Sequence, residues 1–263
     1  MQLLVPVTDA ATVDDEFEID GLAVDERYLT YDMNEWDEYA VEAAVQIAEA
    51  GEDVEVVTVT VGPERVEETI RQALAKGADR AIRVWDEALE DVAVLDPMTK
   101  ARVLAAVVED EEPDLVLSGV QTGDDSFGAT GVALASAVDY AWAAVVNYLD
   151  YEVGDDVATV HRELEGGVEE LAEVAVPAVL TIQTGINEPR YASLRGIRQA
   201  QSKPLDVQAL ADLGLSGEDL PLELDLTGLA VPEVESDVEF FAGDATDAAG
   251  QLADLLREKG VGA

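Results

Sequence analysis

The stretch that most limits how this chain can fold is Asp114-Leu-Val-Leu-Ser-Gly-Val-Gln-Thr-Gly-Asp-Asp-Ser-Phe-Gly-Ala-Thr-Gly, which continues into Val132-Ala-Leu-Ala-Ser-Ala. The apolar run from Leu115 to Ser118 suits a buried parallel strand. Glycines at 119, 123, 128 and 131 make a loop, and the small apolar residues after it predict a helix. Strand, loop and helix in that order put open backbone N–H groups and a helix N-terminus at the carboxyl end of a sheet. That arrangement favours an anion, and in doubly wound sheets it is where nucleotides sit. The glycine spacing is neither the dinucleotide fingerprint nor a Walker A loop, which needs Gly-Lys-Ser/Thr. On these residues alone an ordinary strand–turn–helix explains the stretch equally well.

The flanking segments repeat the same alternation. Leu3 to Val7 is a short apolar run suited to a central strand, and residues 8–31 are acidic and irregular, with a possible hairpin at Phe17–Asp20 and Gly21–Val24. Asn34, followed three residues later by Asp37, predicts a helix start; Tyr39, Ala40, Ala43, Ala44 and Ile47 then form one face, ending at Gly51. Val54–Val61 reads as a strand, 64–75 as a helix closed by Gly77, Arg80–Val84 as a strand and about 96–108 as a helix. Strand and helix alternating at short spacing predict a parallel sheet wrapped on both faces, with right-handed crossovers.

After the helix near 130 the period changes. Trp142–Tyr148, Ala158–Leu164 and Glu169–Val176 read as an antiparallel meander, with Glu165-Gly166-Gly167 at the turn between the last two. A strand follows at 177–182, and then Asn187-Glu-Pro-Arg-Tyr-Ala-Ser-Leu-Arg-Gly-Ile-Arg turns into a short helix bearing three arginines. That segment is either a capped surface helix or a docking element. From Pro204 the sequence loosens, ending in an amphipathic helix at 247–259. The expected organisation is an α/β domain over 1–203, with an antiparallel strand extension, and an extended C-terminal arm over 204–263 that packs on a partner subunit.

Charge narrows the function classes. Fifty-eight acidic residues stand against 15 basic ones, a formal net charge of −43 spread along the chain. Repulsion of that size destabilises a compact state at ordinary salt and is screened at molar salt, where the Debye length is about 3 Å. The composition therefore reads as adaptation to a salt-saturated cytoplasm, as in haloarchaea. It also argues against nucleic-acid binding, since nothing resembles a basic face. No apolar run approaches the roughly 18 residues of a membrane helix, and the N-terminus shows no basic leader region, so a cytoplasmic protein without membrane insertion is expected. Cysteine is absent and the single histidine, His161, sits in an alternating strand pattern, so metal, thiolate and triad chemistry find little support. No bond-making catalytic residues are recognised.

Taken together, these segments resemble the β subunit of electron transfer flavoprotein. The resemblance rests on Met33-Asn34 with Ala40-Val41-Glu42; Gly62-Pro63 with Glu68-Thr69-Ile70-Arg71; Gly77-Ala78-Asp79-Arg80; Gly119, Gln121, Asp124-Asp125 and Thr130-Gly131; Arg162-Glu163 with Gly166-Gly167; Pro177-Ala178-Val179; and Asn187-Glu188-Pro189-Arg190-Tyr191-Ala192 with Leu194. It implies a HUP-like nucleotide-binding subunit that pairs with a flavin-carrying α subunit and itself holds AMP, the redox FAD being held mainly by the α subunit. By positional match the nucleotide site would comprise Pro6, Asn34, Glu35, Trp36, Asp37, Val61, Gly119, Val120, Gln121, Thr122, Gly123, Asp124, Asp125, Ser126, Phe127, Gly128, Ala129 and Thr130. Arg190, Tyr191, Leu194 and Arg195 would form the surface that docks a dehydrogenase.

The function implied is electron carriage from acyl-CoA-type dehydrogenases toward a membrane quinone oxidoreductase. Two alternatives stay open. One is a β subunit of an electron-bifurcating flavoprotein with a second FAD here; the other, of a different class, is a stand-alone ATP-binding protein of the universal-stress type.

Overall fold

Leucine- and valine-rich runs become the centre of one twisted sheet in the computed structural model, which describes residues 1–90, 92, 94–232 and 238–261. In chain order its elements are β1 (Gln2–Pro6), β2 (Asp9–Val13), β3 (Ile19–Asp20), β4 (Ala23–Val24), β5 (Leu29–Met33), α1 (Glu35–Ala50), β6 (Glu55–Val61), α2 (Glu67–Lys76), β7 (Arg80–Val84), α3 (Pro97–Glu111), β8 (Leu115–Gly119) and α4 (Thr130–Val138). There follow β9 (Ala141–Asp150), β10 (Val157–Leu164), β11 (Val168–Ala175), β12 (Ala178–Ile182), α5 (Leu194–Ala200), β13 (Leu205–Gln208) and α6 (Ala245–Glu258). The sheet has nine strands in the order β11-β10-β9-β12-β8-β1-β6-β7-β13. All neighbours from β9 through β13 in that order are parallel, and β10 and β11 continue the sheet antiparallel.

Alternation along the central strands sends side chains to two cores. Leu3 and Val5 of β1, with Leu115 and Leu117 of β8, meet the apolar faces of α1 and α2. Leu4, Val57, Val59 and Val116 point the other way, onto α3 and α4. Fully apolar strands covered on both faces are what a parallel sheet requires. Because β1 pairs with β6 on one side and β8 on the other, the strand order reverses at β1, and a crevice opens there at the carboxyl ends of the strands.

Three sequence expectations need adjustment. The strand at 142–148 is not part of a purely antiparallel meander: β9 runs parallel to β12 and antiparallel only to β10. It is the hinge between the two sheet types, so its side-chain alternation carries no sign of partner direction. The acidic segment at 8–31 contains, besides the expected β3–β4 hairpin, a five-pair ladder between β2 and β5. Short, half-exposed strands leave only a faint apolar alternation. Past residue 203 the chain is not yet loose: β13 pairs with β7, Leu210, Leu215 and Leu220 pack in the α3-side core, and the first compact unit runs from Met1 to Leu229.

The second unit, Ala230–Ala263, has α6 as its regular element among the described residues. Asp244 caps that helix by accepting from Thr246 and Asp247 N–H, and Leu252 and Leu256 on its surface are partly exposed. Residues 233–237 and 262–263 of the expected arm lie outside the described residues. Among the described residues no helix is long and apolar enough to cross a membrane.

Candidate functional site

The crevice beside β1 is built from three strand ends and one helix start. Pro6, Val7 and Thr8 follow β1, Val59 and Val61 close β6, and Ser118 and Gly119 end β8. The loop after β8 folds back through Val120, Gln121, Thr122 and Asp125, and Gly128, Ala129 and Thr130 bring in the start of α4. Leu104 and Lys100 of α3 complete the wall.

Part of the pocket lining is apolar, from Pro6, Val7, Val59, Val61 and Leu104. The loop and the start of α4 add backbone donors. The first turn of any helix leaves N–H groups without intrahelical acceptors. In α3, α5 and α6 a side chain at the cap, Asp96, Ser193 or Asp244, takes up such donors. Ala129, the cap of α4, has no acceptor to offer, so the first-turn N–H groups there stay open beside the pocket. Gly128, at φ 61°, is in the left-handed region that turns the loop into that helix.

The charged groups form a small balanced set. The Lys100 ammonium lies 2.8 Å from an Asp125 carboxylate oxygen. Asp125 also accepts from the Thr122 hydroxyl at 2.8 Å and the Phe127 N–H at 3.0 Å. Burial, which alone would raise its pKa, is outweighed by Lys100 and these donors, so the carboxyl sits below its ordinary range. Asp37 is 4% exposed and accepts from Thr8 N–H at 2.7 Å and Gly119 N–H at 3.1 Å. Burial pushes its carboxyl up to about 7 against the pull of those donors. Gly119 cannot be anything larger, because a Cβ there would run into the Asp37 carboxylate and the Trp36 Cβ.

Asn34 and Asp37 were expected to serve the start of α1, and both side chains do something else. Asn34 occupies the cap position without a side-chain capping bond. Its amide instead donates to Gln121 O at 2.9 Å and accepts from Gly123 N–H at 3.3 Å, clasping the loop. Of the sequence-expected site residues, Pro6, Asp37, Val61, Gly119, Val120, Gln121, Thr122, Asp125, Gly128, Ala129 and Thr130 line this pocket. Asn34, Glu35, Trp36, Gly123 and Asp124 line an adjoining cleft under the N-terminal hairpins, with Tyr31 and Met33. Ser126 and Phe127 line neither of these, Phe127 standing partly exposed on the loop. Val7, Thr8, Val59, Lys100, Leu104 and Ser118 were not anticipated. For Lys100 a signal existed: it is one of only four lysines in a chain where cations are scarce.

The 187–200 segment is rigidly mounted. Asn187 Nδ2 donates to Tyr39 O at 3.0 Å, and Arg190 binds Glu42 and Glu49 of α1. Ser193 caps α5 by accepting from Gly196 N–H at 3.0 Å, and Gly196 sits so close to Ala75 O that no Cβ would fit. On this mount Tyr191 is 97% and Leu194 80% exposed. His161 stacks on Tyr148 at 4.5 Å between ring centroids, and among the described residues no group of His, Cys, Asp and Glu side chains suits a metal ion.

Comparison with known proteins adds two findings. Residues 21–213 match the electron transfer flavoprotein domain family. The chain is 50% identical to the electron transfer flavoprotein subunit beta of Methylophilus methylotrophus, over 84% of this chain and 83% of that protein. It is 40% identical to the subunit of the same name from Sus scrofa and 38% to that from Homo sapiens, each over 88% of this chain and 86% of the relative.

Proposed function

Because the chain belongs to the electron transfer flavoprotein family as a β subunit, we propose that its pocket holds an AMP and that it serves as one half of a heterodimer with a flavin-carrying α subunit. The observation that carries the nucleotide reading is the uncapped start of α4 opening into a half-apolar pocket at the strand-order reversal. Adenine fits the apolar lining, against Val59, Val61 and Leu104. The phosphate fits the start of α4, where Gly128, Ala129 and Thr130 supply N–H groups, Thr130 a hydroxyl and the helix start a partial positive charge. Lys100 adds a cation to the same pocket. Asn34 and Asp37 hold the loop and strand ends in place around the ligand.

The role follows from what the chain offers: a nucleotide pocket and an exposed docking segment. Electrons would come from acyl-CoA-type dehydrogenases and pass toward a membrane quinone oxidoreductase, with FAD, when bound in the α subunit, supplying the redox chemistry. This chain's residues bind, orient and dock. The stretch after Leu229, with α6, would lie along the α subunit. The subunit would work in a salt-rich cytoplasm, a reading supported by the dispersed acids and by cations turned inward, the Lys76 and Lys100 side chains being 10% and 20% exposed.

The test is to purify the chain with its α subunit, denature it and identify the released nucleotides by chromatography. One AMP per heterodimer is expected. A well-folded complex that releases no nucleotide would sink the site assignment, and two FAD per heterodimer would make it a bifurcating subunit.

A further inference from the structure

Arg190 sits one residue before the fully exposed Tyr191 and four before Leu194, yet every polar part of it is hydrogen-bonded within the chain. Its Nε donates to Glu42 Oε2 at 2.8 Å and its Nη2 to Glu42 Oε1 at 3.1 Å. Nη1 and Nη2 reach Glu49 at 2.6 and 3.0 Å. Its backbone N–H donates to Glu42 Oε2 at 3.1 Å, and its carbonyl accepts from Lys76 Nζ at 2.9 Å. Lys76 is itself paired with Glu38 at 3.2 Å.

Glu42 and Glu49 are seven residues apart, two turns along one side of α1, so a single guanidinium can be gripped from both. Glu42 is 5% exposed, and a buried carboxylate without its cation is costly. An isolated surface ion pair contributes little. This one is a bidentate fork with both backbone groups of the same residue locked beside it, placed where the chain presents Tyr191 and Leu194, its most exposed aromatic and aliphatic side chains among the described residues.

We propose that Arg190 is a positioning residue: it does not meet the partner but fixes the backbone from which Tyr191 and Leu194 are presented, with Glu42 as its inner anchor and Glu49 as its outer one. This rests on the reading of Leu194 as a docking residue.

Arg190→Gln, Arg190→Lys and Leu194→Ala would be prepared in the complex with the α subunit and compared by hydrogen exchange and by electron acceptance from an acyl-CoA dehydrogenase. Arg190→Gln should speed exchange of the 190–196 amides by about tenfold or more, since local opening there no longer breaks the fork. It should also raise the KM for the complex by about tenfold while kcat at saturation stays within about twofold, because a loosened loop weakens encounter rather than electron transfer. Arg190→Lys keeps the charge but loses the fork, and should fall between wild type and Gln in both readouts. Unchanged exchange in Arg190→Gln would overturn the proposal, as would faster exchange with an unchanged KM while Leu194→Ala raises it. If Leu194→Ala leaves KM unaltered, the docking reading falls instead, and the exchange measurement alone decides the anchoring role of Arg190.

Discussion

Lys100 and Asp125 face each other at 2.8 Å across the wall of the pocket beside β1, joining α3 to the loop after β8. If the pocket holds the proposed adenylate, the pair would have opposite consequences for its phosphate depending on which partner is removed. Lys100→Gln leaves the Asp125 carboxylate uncompensated beside the anion, and adenylate affinity should fall by about tenfold or more, the scale of losing a charge-assisted bond. Asp125→Asn removes a repelling charge and frees the ammonium, so affinity should hold or rise. Titration calorimetry with AMP on nucleotide-stripped complex separates the two. Equal losses for both substitutions would show that the pair only braces the loop.

Thr130 stands at the first position of α4, in the lining of the pocket. Thr130→Leu puts two extra carbons where the phosphate would lie and removes a hydroxyl donor. The complex should fold, since the side chain faces a cavity, but release no adenylate on denaturation. Recovery of a full equivalent would move the phosphate elsewhere.

The pH dependence has two limbs. Asp37, raised by burial to about 7, favours its protonated form in the folded state, so the stability it contributes is full below the ordinary aspartate range and is lost as pH rises through about 7. Glu49 is held low by Arg190; Glu42 is also held low, Arg190 and Gln46 outweighing the burial that would raise it. Their contribution is present above the ordinary glutamate range and lost as pH falls through their lowered values. Denaturant midpoints at fixed high salt should therefore drop on both sides of a mildly acidic optimum. Asp37→Asn should lower stability overall, because one amide oxygen cannot accept from both Thr8 and Gly119 N–H. It should also remove the loss seen between about pH 4 and 7; an unchanged upper limb would assign that limb to another group.

Salt should act through the same carboxylates collectively. With 58 acidic and 15 basic residues, the melting temperature should climb steeply between about 0.2 and 2 M KCl as screening shortens the range of repulsion. A flat profile would remove the salt-adaptation reading.

What could be read from the chain, and what could not, follows the range of the interactions. The pocket's floor lies in one continuous stretch, Leu115 to Thr130, where strand period, glycine turns and helix start are all local signals. The wall facing it is not: Lys100 reaches Asp125 from another helix, and nothing local marks that meeting. Arg190 shows the same limit. Its position beside Leu194 suggests a cation steering at a rim, whereas its true partner, Glu42, is 148 residues away in sequence and turns it inward. Strand direction is a further case: β9 alternates as any half-buried strand does, and only its neighbour β12, which follows it after two intervening strands, makes it parallel.

Leu194 separates a docking residue from a packing one. A buried leucine trimmed to alanine costs about 2 to 5 kcal/mol. At 80% exposure, and at the first position of a helix whose cap is Ser193 and whose close contact is Gly196 against Ala75, Leu194 contributes little to the fold. Leu194→Ala should therefore shift stability by less than about 0.5 kcal/mol, the scale of a surface substitution. Tyr191 and Leu194 stand exposed together on this segment, and a side chain that becomes fully buried at the centre of an interface can carry about 2 kcal/mol of it. That corresponds to roughly a thirtyfold loss of apparent affinity for the dehydrogenase, with the flavin spectrum and the heterodimer unchanged. Stopped-flow reduction of the complex at several dehydrogenase concentrations reads this directly. A variant that melts as wild type and is reduced as fast at every concentration would show that the dehydrogenase lands on another face.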